Sequence, residues 1–240
     1  MALPYGAPLV HASGRVLAAD EPANPWFTWQ YVKDNSDDLK HALITHIELT
    51  VVSVLIAIVI SFPLALLCYR YRRLSGPVLG LTGVLYTIPS IALFAFIAPF
   101  PVFGLRKRTV VFGLVLYALL VLVRNMLVGL QNVPEDVRES ARGMGYGRNR
   151  LLWKVELPVA LPTIMAGVRV ATVSTVALVT VGVLVGEGGL GQLILRGFNN
   201  NFYRAEILTA SVLTVALGLT FDLLLAGATR LMTPWSRRRT

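Results

Sequence analysis

Five long apolar stretches, separated by short polar segments, make up most of this chain of 240 residues. Two of them contain no charged residue: residues 49–69, a run of 21, and residues 78–105, a run of 28. The other three are each interrupted by one charged residue: 109–133 by Arg124, 159–186 by Arg169 and 207–229 by Asp222. Because roughly 20 apolar residues in a helix cross the hydrocarbon core of a bilayer, the pattern predicts an all-α integral membrane protein with five transmembrane helices.

The positions of the basic residues predict the orientation of these helices. With the loop between the third and fourth stretches on the cytoplasmic side, that side carries twelve Lys and Arg residues, against eight on the other side. Basic residues favour the cytoplasmic side, so the N-terminus is expected outside and the tail with Arg237, Arg238 and Arg239 inside. The net charge of +9 is spread over several loops and forms no single patch, so it does not indicate nucleic acid as a partner.

The second apolar stretch contains a helix breaker near its middle, at Thr87-Ile88-Pro89-Ser90. Proline removes a backbone hydrogen bond, and a broken helix at membrane depth is tolerated only against protein or a water-filled cavity. We therefore expect Tyr86, Thr87, Pro89, Ser90 and Phe94 to line a passage through the membrane. Asp222, a charge inside the fifth stretch, either pairs with a neighbouring helix or lines the same passage.

A polar segment between the third and fourth stretches has a helical pattern of its own. Pro134 suits the first helical position, and the spacing predicts one short helix over 134–143 and a second over 148–156. Gly145 is expected in the left-handed conformation between them. Pro158 and Pro162 are expected to break the second helix before the fourth stretch begins.

Five residues in this segment, at the spacing E-x-A-x3-G-x11-L-P, resemble the EAA loop of permease subunits in bacterial binding-protein-dependent ABC importers. In that family, the loop transmits force from a separate ATPase to the membrane gate. The resemblance implies contact with an ATPase by Glu139, Ser140, Ala141, Gly145, Leu157 and Pro158. Ser140 stands where the family has its second alanine.

The resemblance extends over residues 45–230 and implies the type I ABC importer permease fold. Motifs at 87–90, 124–130, 141–145, 166–172 and 188–191 are similar to those of the glycine betaine/choline/carnitine branch. This branch implies import of small quaternary ammonium or betaine osmoprotectants across the bacterial inner membrane, by alternating access. It also implies a second permease subunit, identical or paralogous, two ATPase subunits and an extracytoplasmic solute-binding protein.

The chain is expected to have three parts. Residues 1–43 are expected to form a partly disordered extracytoplasmic segment, and residues 44–232 the transmembrane permease domain, with its coupling loop at 132–160. Residues 233–240 are expected to form a basic cytoplasmic tail.

No catalytic, cofactor or metal site is predicted. The sequence has no G-x-x-x-x-G-K-[ST] motif, so ATP and Mg²⁺ are expected on the partner ATPase. The run 186–191 fits G-x-G-x-x-G, but it follows an apolar stretch and predicts an outer turn before a short helix at 190–197. His41, His46 and Glu48 are interpreted as interfacial polar residues rather than metal ligands. A permease for a different solute, an ATP-independent channel and a membrane-embedded enzyme remain alternatives.

Overall fold

The computed structural model describes residues 24–235, and within these residues the chain is built from helices without strands. The predicted disorder at the beginning of the chain and the basic tail with Arg237–Arg239 lie outside the described residues. The ten α-helices are α1 (Trp29–Asp34), α2 (Ser36–Arg70), α3 (Arg72–Thr87), α4 (Ser90–Ile97), α5 (Lys107–Gln131), α6 (Glu135–Gly143), α7 (Arg148–Leu151), α8 (Leu157–Val179), α9 (Leu190–Asn199) and α10 (Arg204–Met232).

Four helical runs are long and apolar enough to cross a membrane: Ser36–Arg70, Lys107–Gln131, Arg148–Val185 and Arg204–Met232. Helices α3 and α4 meet the same criterion only as a pair, and they are bent by 94° at a short break; the described residues therefore contain four such helices, or five if this pair is counted as one span. The structure therefore confirms the all-α architecture and four long apolar helices of the predicted kind, while the second predicted stretch is the bent pair α3 and α4.

One predicted helix boundary is wrong. Pro158 and Pro162 do not break the chain, because a π-helical segment, Leu152–Glu156, joins α7 to α8. The wide π turn carries the backbone past Pro158: Leu157 donates its N–H to the Leu152 carbonyl, five residues back. Each proline then removes only its own donor from an otherwise intact helix.

Helix α5 forms the centre of the bundle between α2 and α8. Its Leu122, Met126 and Leu130 are almost wholly buried. They pack against small residues of the two flanking helices, namely Ala57, Ala65, Ala160 and Ala171. Small residues allow helix backbones to approach closely, which is how helices associate in lipid. The central position of α5 fixes the relative placement of α2 and α8.

The break between α3 and α4 lies at Ile88 and Pro89, as the sequence predicts. Pro89 cannot donate a backbone hydrogen bond, and Ile88 is in an extended conformation. The Tyr117 hydroxyl of α5 donates a hydrogen bond to the carbonyl of Ile88. The Thr87 hydroxyl donates one to the carbonyl of Val84 at 2.7 Å. Two carbonyl groups at the break, those of Val84 and Ile88, therefore accept hydrogen bonds from side-chain hydroxyls.

His46 is not an interfacial side chain, contrary to the sequence interpretation, because its imidazole is wholly buried. Its Nε2 lies 3.0 Å from the carbonyl of Val176, and its Nδ1 accepts the N–H of Leu190 at 3.3 Å. A neutral ring protonated on Nε2 satisfies both contacts. His46 thus joins α2 to α8 and to the beginning of α9. Helix α9 itself confirms the short helix predicted after the glycine-rich turn.

We expect that Gly189→Ala destabilises this junction. Gly189 has φ +53°, and an added Cβ would lie 2.7 Å from the Cβ of His46. Overpacking costs about 1–3 kcal/mol, and the backbone strain a similar amount. Thermal unfolding in detergent is expected to show a Tm lower by on the order of 10 °C.

Gly80→Ala in α3 is the matched control, since no atom lies within 4 Å of its added Cβ. Its Tm should stay the same or rise slightly, because alanine favours helix over glycine. Equal Tm values for the two variants would show that the junction does not depend on close contact at Gly189.

Candidate functional site

The residues predicted to contact an ATPase lie in residues 134–158, which we call the polar hairpin. Pro134 precedes α6, and Glu135 and Asp136 occupy its first turn, where negative charge favours the positive end of the helix dipole. Hydrogen bonds from Arg138 and then Arg142 lower the pKa of the Glu135 carboxyl below its ordinary value. Both bonds measure 2.9 Å.

The turn after α6 requires glycine at position 145. Tyr146 donates its N–H to the carbonyl of Ala141 at 3.1 Å, and Gly145 donates to that of Arg142 at 2.9 Å. This pair of bonds is the Schellman arrangement, in which the residue after the cap is left-handed. Gly145 has φ +81° with open space around it, so backbone conformation, not room, imposes the glycine. The predicted left-handed turn is confirmed.

Arg138 connects the polar hairpin to the membrane helices. Its guanidinium donates to Glu156 Oε1 at 3.0 Å, to Glu135 Oε2 at 2.9 Å, to the Leu130 carbonyl at 2.8 Å and to the Tyr69 hydroxyl at 3.2 Å. Tyr69 in turn donates to Glu156 Oε1 at 2.7 Å. One side chain thereby joins α2, the end of α5, α6 and the π segment.

The charges in this network are largely shielded from solvent. The side chains of Arg138 and Glu156 are 12% and 6% exposed. Burial alone would lower the pKa of Arg138, but its bonds to Glu135, Tyr69 and Glu156 raise it above the ordinary value. The sequence pattern did not identify Arg138 or Glu156 as members of such a network. The only signal was a lone carboxylate directly before the Leu157-Pro158 pair.

The predicted contact residues differ in exposure. Glu139 and Ser140 are exposed, and the Ser140 hydroxyl donates a hydrogen bond to the Asp136 carbonyl at 2.8 Å. Within residues 24–235, Glu139 forms no ion pair. Ala141 is 2% exposed and packs inward. Leu157 and Pro158 are half-buried at the beginning of α8. Of these residues, Glu139 and Ser140 therefore remain exposed on α6, whereas Ala141 belongs to the packing of the hairpin itself.

The residues predicted to line a passage are not all brought together. Tyr86, Thr87, Pro89 and Ser90 lie at the break, where the Tyr86 ring contacts Tyr117 edge-on at a centroid distance of 5.9 Å. Phe94 faces the interior instead. It is wholly buried, and its ring fills the space that a side chain at Gly113 would take.

Asp222 lies elsewhere, in a groove of about 750 Å³ between α8 and α10, and no lining residue of that groove comes from 86–94. It pairs with Arg169, which donates to both of its carboxylate oxygens at 2.9 and 2.8 Å. The pair is about one-third exposed. Of the two roles open from the sequence, pairing with a neighbouring helix is present in the structure.

Comparisons with known proteins agree with the predicted resemblance. A family model for the inner membrane component of binding-protein-dependent transport systems matches residues 44–238. The chain is 36% identical to the glycine betaine/carnitine/choline transport system permease protein OpuCD of Bacillus subtilis, over 87% of this chain and 90% of that protein. It is 37% identical to the osmoprotectant import permease protein OsmW of Salmonella typhimurium, over 86% of this chain and 97% of that protein.

Solved structures share the fold. A chain of the MetNI methionine ABC transporter in an inward-facing conformation superimposes with a TM-score of 0.74 at 23% identity, covering 84% of this chain and 99% of that one. A chain of an amino acid ABC transporter with histidines gives a TM-score of 0.70 at 16% identity, covering 85% and 98%. These matches confirm the predicted importer permease fold.

Replacing Arg138 is expected to destabilise the protein strongly. Arg138→Ala leaves the buried Glu156 carboxylate without its charged partner, which costs about 3–5 kcal/mol. In detergent, the Tm should fall by on the order of 10 °C. Lys154→Ala, on the exposed part of the same hairpin, is the control and should change the Tm little.

A double-mutant cycle separates the ion pair from packing. In the Glu156→Gln background, Arg138→Ala should lower the free energy of unfolding clearly less than it does in the parent protein, since no buried charge is left unpaired. If the two costs simply add, the network does not hold the hairpin in the way its geometry indicates.

Proposed function

Because the chain belongs to the family of inner membrane components of binding-protein-dependent transport systems, we propose that it is the permease subunit of an importer for small quaternary ammonium or betaine osmoprotectants. It works with a second permease subunit, two ATPase subunits and an extracytoplasmic solute-binding protein. The solute class is supported by relatives named for glycine betaine, carnitine and choline transport. ATP and Mg²⁺ bind to the ATPase subunits.

The polar hairpin is the proposed contact with the ATPase. The observation that carries this role is the combination of an exposed surface with a buried anchor. Glu139 and Ser140 face outward on α6, while Arg138 on the same helix is bonded to α2, α5 and the π segment. A force applied to the exposed face therefore reaches the membrane helices through a network of hydrogen bonds and ion pairs. Ala141, Gly145, Leu157 and Pro158 shape and anchor that face.

The translocation path is proposed to run beside the break between α3 and α4. Tyr86, Thr87, Pro89 and Ser90 lie at that break, and Tyr86 and Thr87 are exposed. Phe94 contributes only in a conformation that turns its ring out of the core. Asp222 lies in the separate groove between α8 and α10, where its pair with Arg169 joins these two helices. Alternating access then consists of two arrangements of these helices, whose populations depend on nucleotide and on the loaded binding protein.

The proposed orientation places the polar hairpin in the cytoplasm. Residues 44–232 form the permease domain, with 132–160 as its coupling loop. The segment 1–43 lies outside the cell, and 233–240 form a cytoplasmic tail. The distribution of Lys and Arg residues supports this arrangement.

Uptake measurements test the proposal. Source cells lacking the chain should lose uptake of at least one of labelled glycine betaine, choline and carnitine, and the native gene should restore it. Unchanged uptake of all three would remove the osmoprotectant assignment.

The same assay tests the hairpin through Glu139→Lys. Reversing the exposed charge should reduce uptake below about a tenth of normal at unchanged abundance in the membrane, because a close charge pair becomes a repulsion worth several kcal/mol. Asp37→Lys is the control, since its carboxylate is 97% exposed at the opposite end of the first crossing. Normal uptake by Glu139→Lys would contradict the proposed contact.

A further inference from the structure

A cavity of about 830 Å³ lies between the polar hairpin and the end of α2. One wall comes from the last turn of α2 and the beginning of α3, with Tyr69, Arg70 and Arg72. The other wall comes from the hairpin, with Arg138, Arg142 and Arg148 among its residues. Its surroundings are therefore rich in arginine from two separate parts of the chain.

The carboxylates in the cavity wall do not balance these arginines. Glu135 and Glu156 are the acidic residues of the lining, and Arg138 and Arg142 already pair with them. Among the described residues, Arg70, Arg72 and Arg148 have no carboxylate within ion-pair distance. Three guanidinium groups are thus left at the cavity with an excess of positive charge and with free hydrogen-bond donors.

The cavity also has an apolar side at the level where the chain leaves the bilayer. Arg70 directly follows the uninterrupted apolar run 49–69. Leu66, Leu151 and Leu152 line the same space. A ligand that fills it must carry a negative group for the arginines and an apolar part for the leucines.

We propose that this cavity binds the headgroup of an anionic phospholipid. The phosphate diester matches guanidinium groups, which donate two hydrogen bonds side by side, and the acyl chains continue along the leucines into the bilayer. Basic pockets beside membrane-spanning helices are the expected binding sites of such headgroups. A soluble anion would leave the leucines uncovered, and an acidic protein side chain does not extend into the bilayer.

The bound lipid would bridge the first crossing and the polar hairpin, so the lipid composition would act on the same element as the ATPase. In the proposed orientation the cavity lies at the inner leaflet of the membrane, and this placement rests on the proposed function. Lipid binding itself does not, because it can be measured whatever solute the chain transports.

Native mass spectrometry of the protein purified from membranes with its copurifying subunits tests the proposal. In an equimolar mixture of phosphatidylglycerol and phosphatidylcholine, the parent protein should retain phosphatidylglycerol preferentially. The double variant R72Q/R148Q should reduce that preference roughly 10- to 30-fold, at about fivefold for each basic residue removed. R72K/R148K should keep an intermediate preference, because the charge remains while the side-by-side hydrogen bonds of the guanidinium groups are lost.

The matched control is R106Q/R108Q, which removes two exposed arginines from the opposite end of the crossings and should leave the preference unchanged. An equal loss in the control would show general charge attraction and overturn the proposal. Displacement of the lipid by millimolar glycerol 3-phosphate would identify a site for soluble anions instead. Retention of the lipid by the chain alone but not by the complex that contains the ATPase subunits would assign the arginines to the ATPase interface. If removal of the chain leaves uptake of all three solutes unchanged while the lipid preference holds, only the proposed function is contradicted.

Discussion

The rest of the structure depends on the guanidinium of Arg138. It is bonded at once to Glu156, Glu135, Tyr69 and the carbonyl of Leu130. The Glu156 carboxylate is buried, and it is held there by a charged partner and the Tyr69 hydroxyl. A buried ion pair is weak evidence for net stability, but it is costly to break. Its value here is geometric, because it makes the polar hairpin part of the membrane bundle.

An arginine with several acidic partners also joins the helices at the opposite end of the molecule. Arg196 of α9 pairs with Asp38 of α2 and with the buried Glu206 of α10. The hydrogen bond to Asp38 and the pair with Glu206 raise the pKa of Arg196. Arginine suits both hubs because its planar fork can bind several acceptors in fixed directions. Ion pairs between side chains therefore join the helices at the two ends of the bundle, and close packing of small residues around α5 joins them in its middle.

The sequence was sufficient for those features that depend on local pattern. Apolar runs of spanning length predicted the crossings, Pro89 predicted the break, and Gly145 predicted the left-handed turn. The helix break predicted at Pro158 was wrong, because a proline in the first turn of a helix need not end it. The π segment before Pro158 was not visible in the residue pattern.

Features that depend on distant partners could not be predicted. Arg138 lies 18 residues from Glu156 and 69 from Tyr69, and no spacing rule connects such positions. His46 resembled an interfacial residue because its acceptor on α8 is 130 residues away. Asp222 was recognised as unusual, but its pairing with Arg169 required the packing of α8 against α10.

The most direct test of the account is the number of solute molecules transported for each ATP hydrolysed by the reconstituted importer. Arg138→Lys keeps the positive charge but cannot reach all four acceptors of the guanidinium. If the network transmits force from the ATPase, hydrolysis should continue while solute transported per ATP falls several-fold below that of the parent protein. An unchanged ratio would contradict the account, because the hairpin would then transmit force without its anchor.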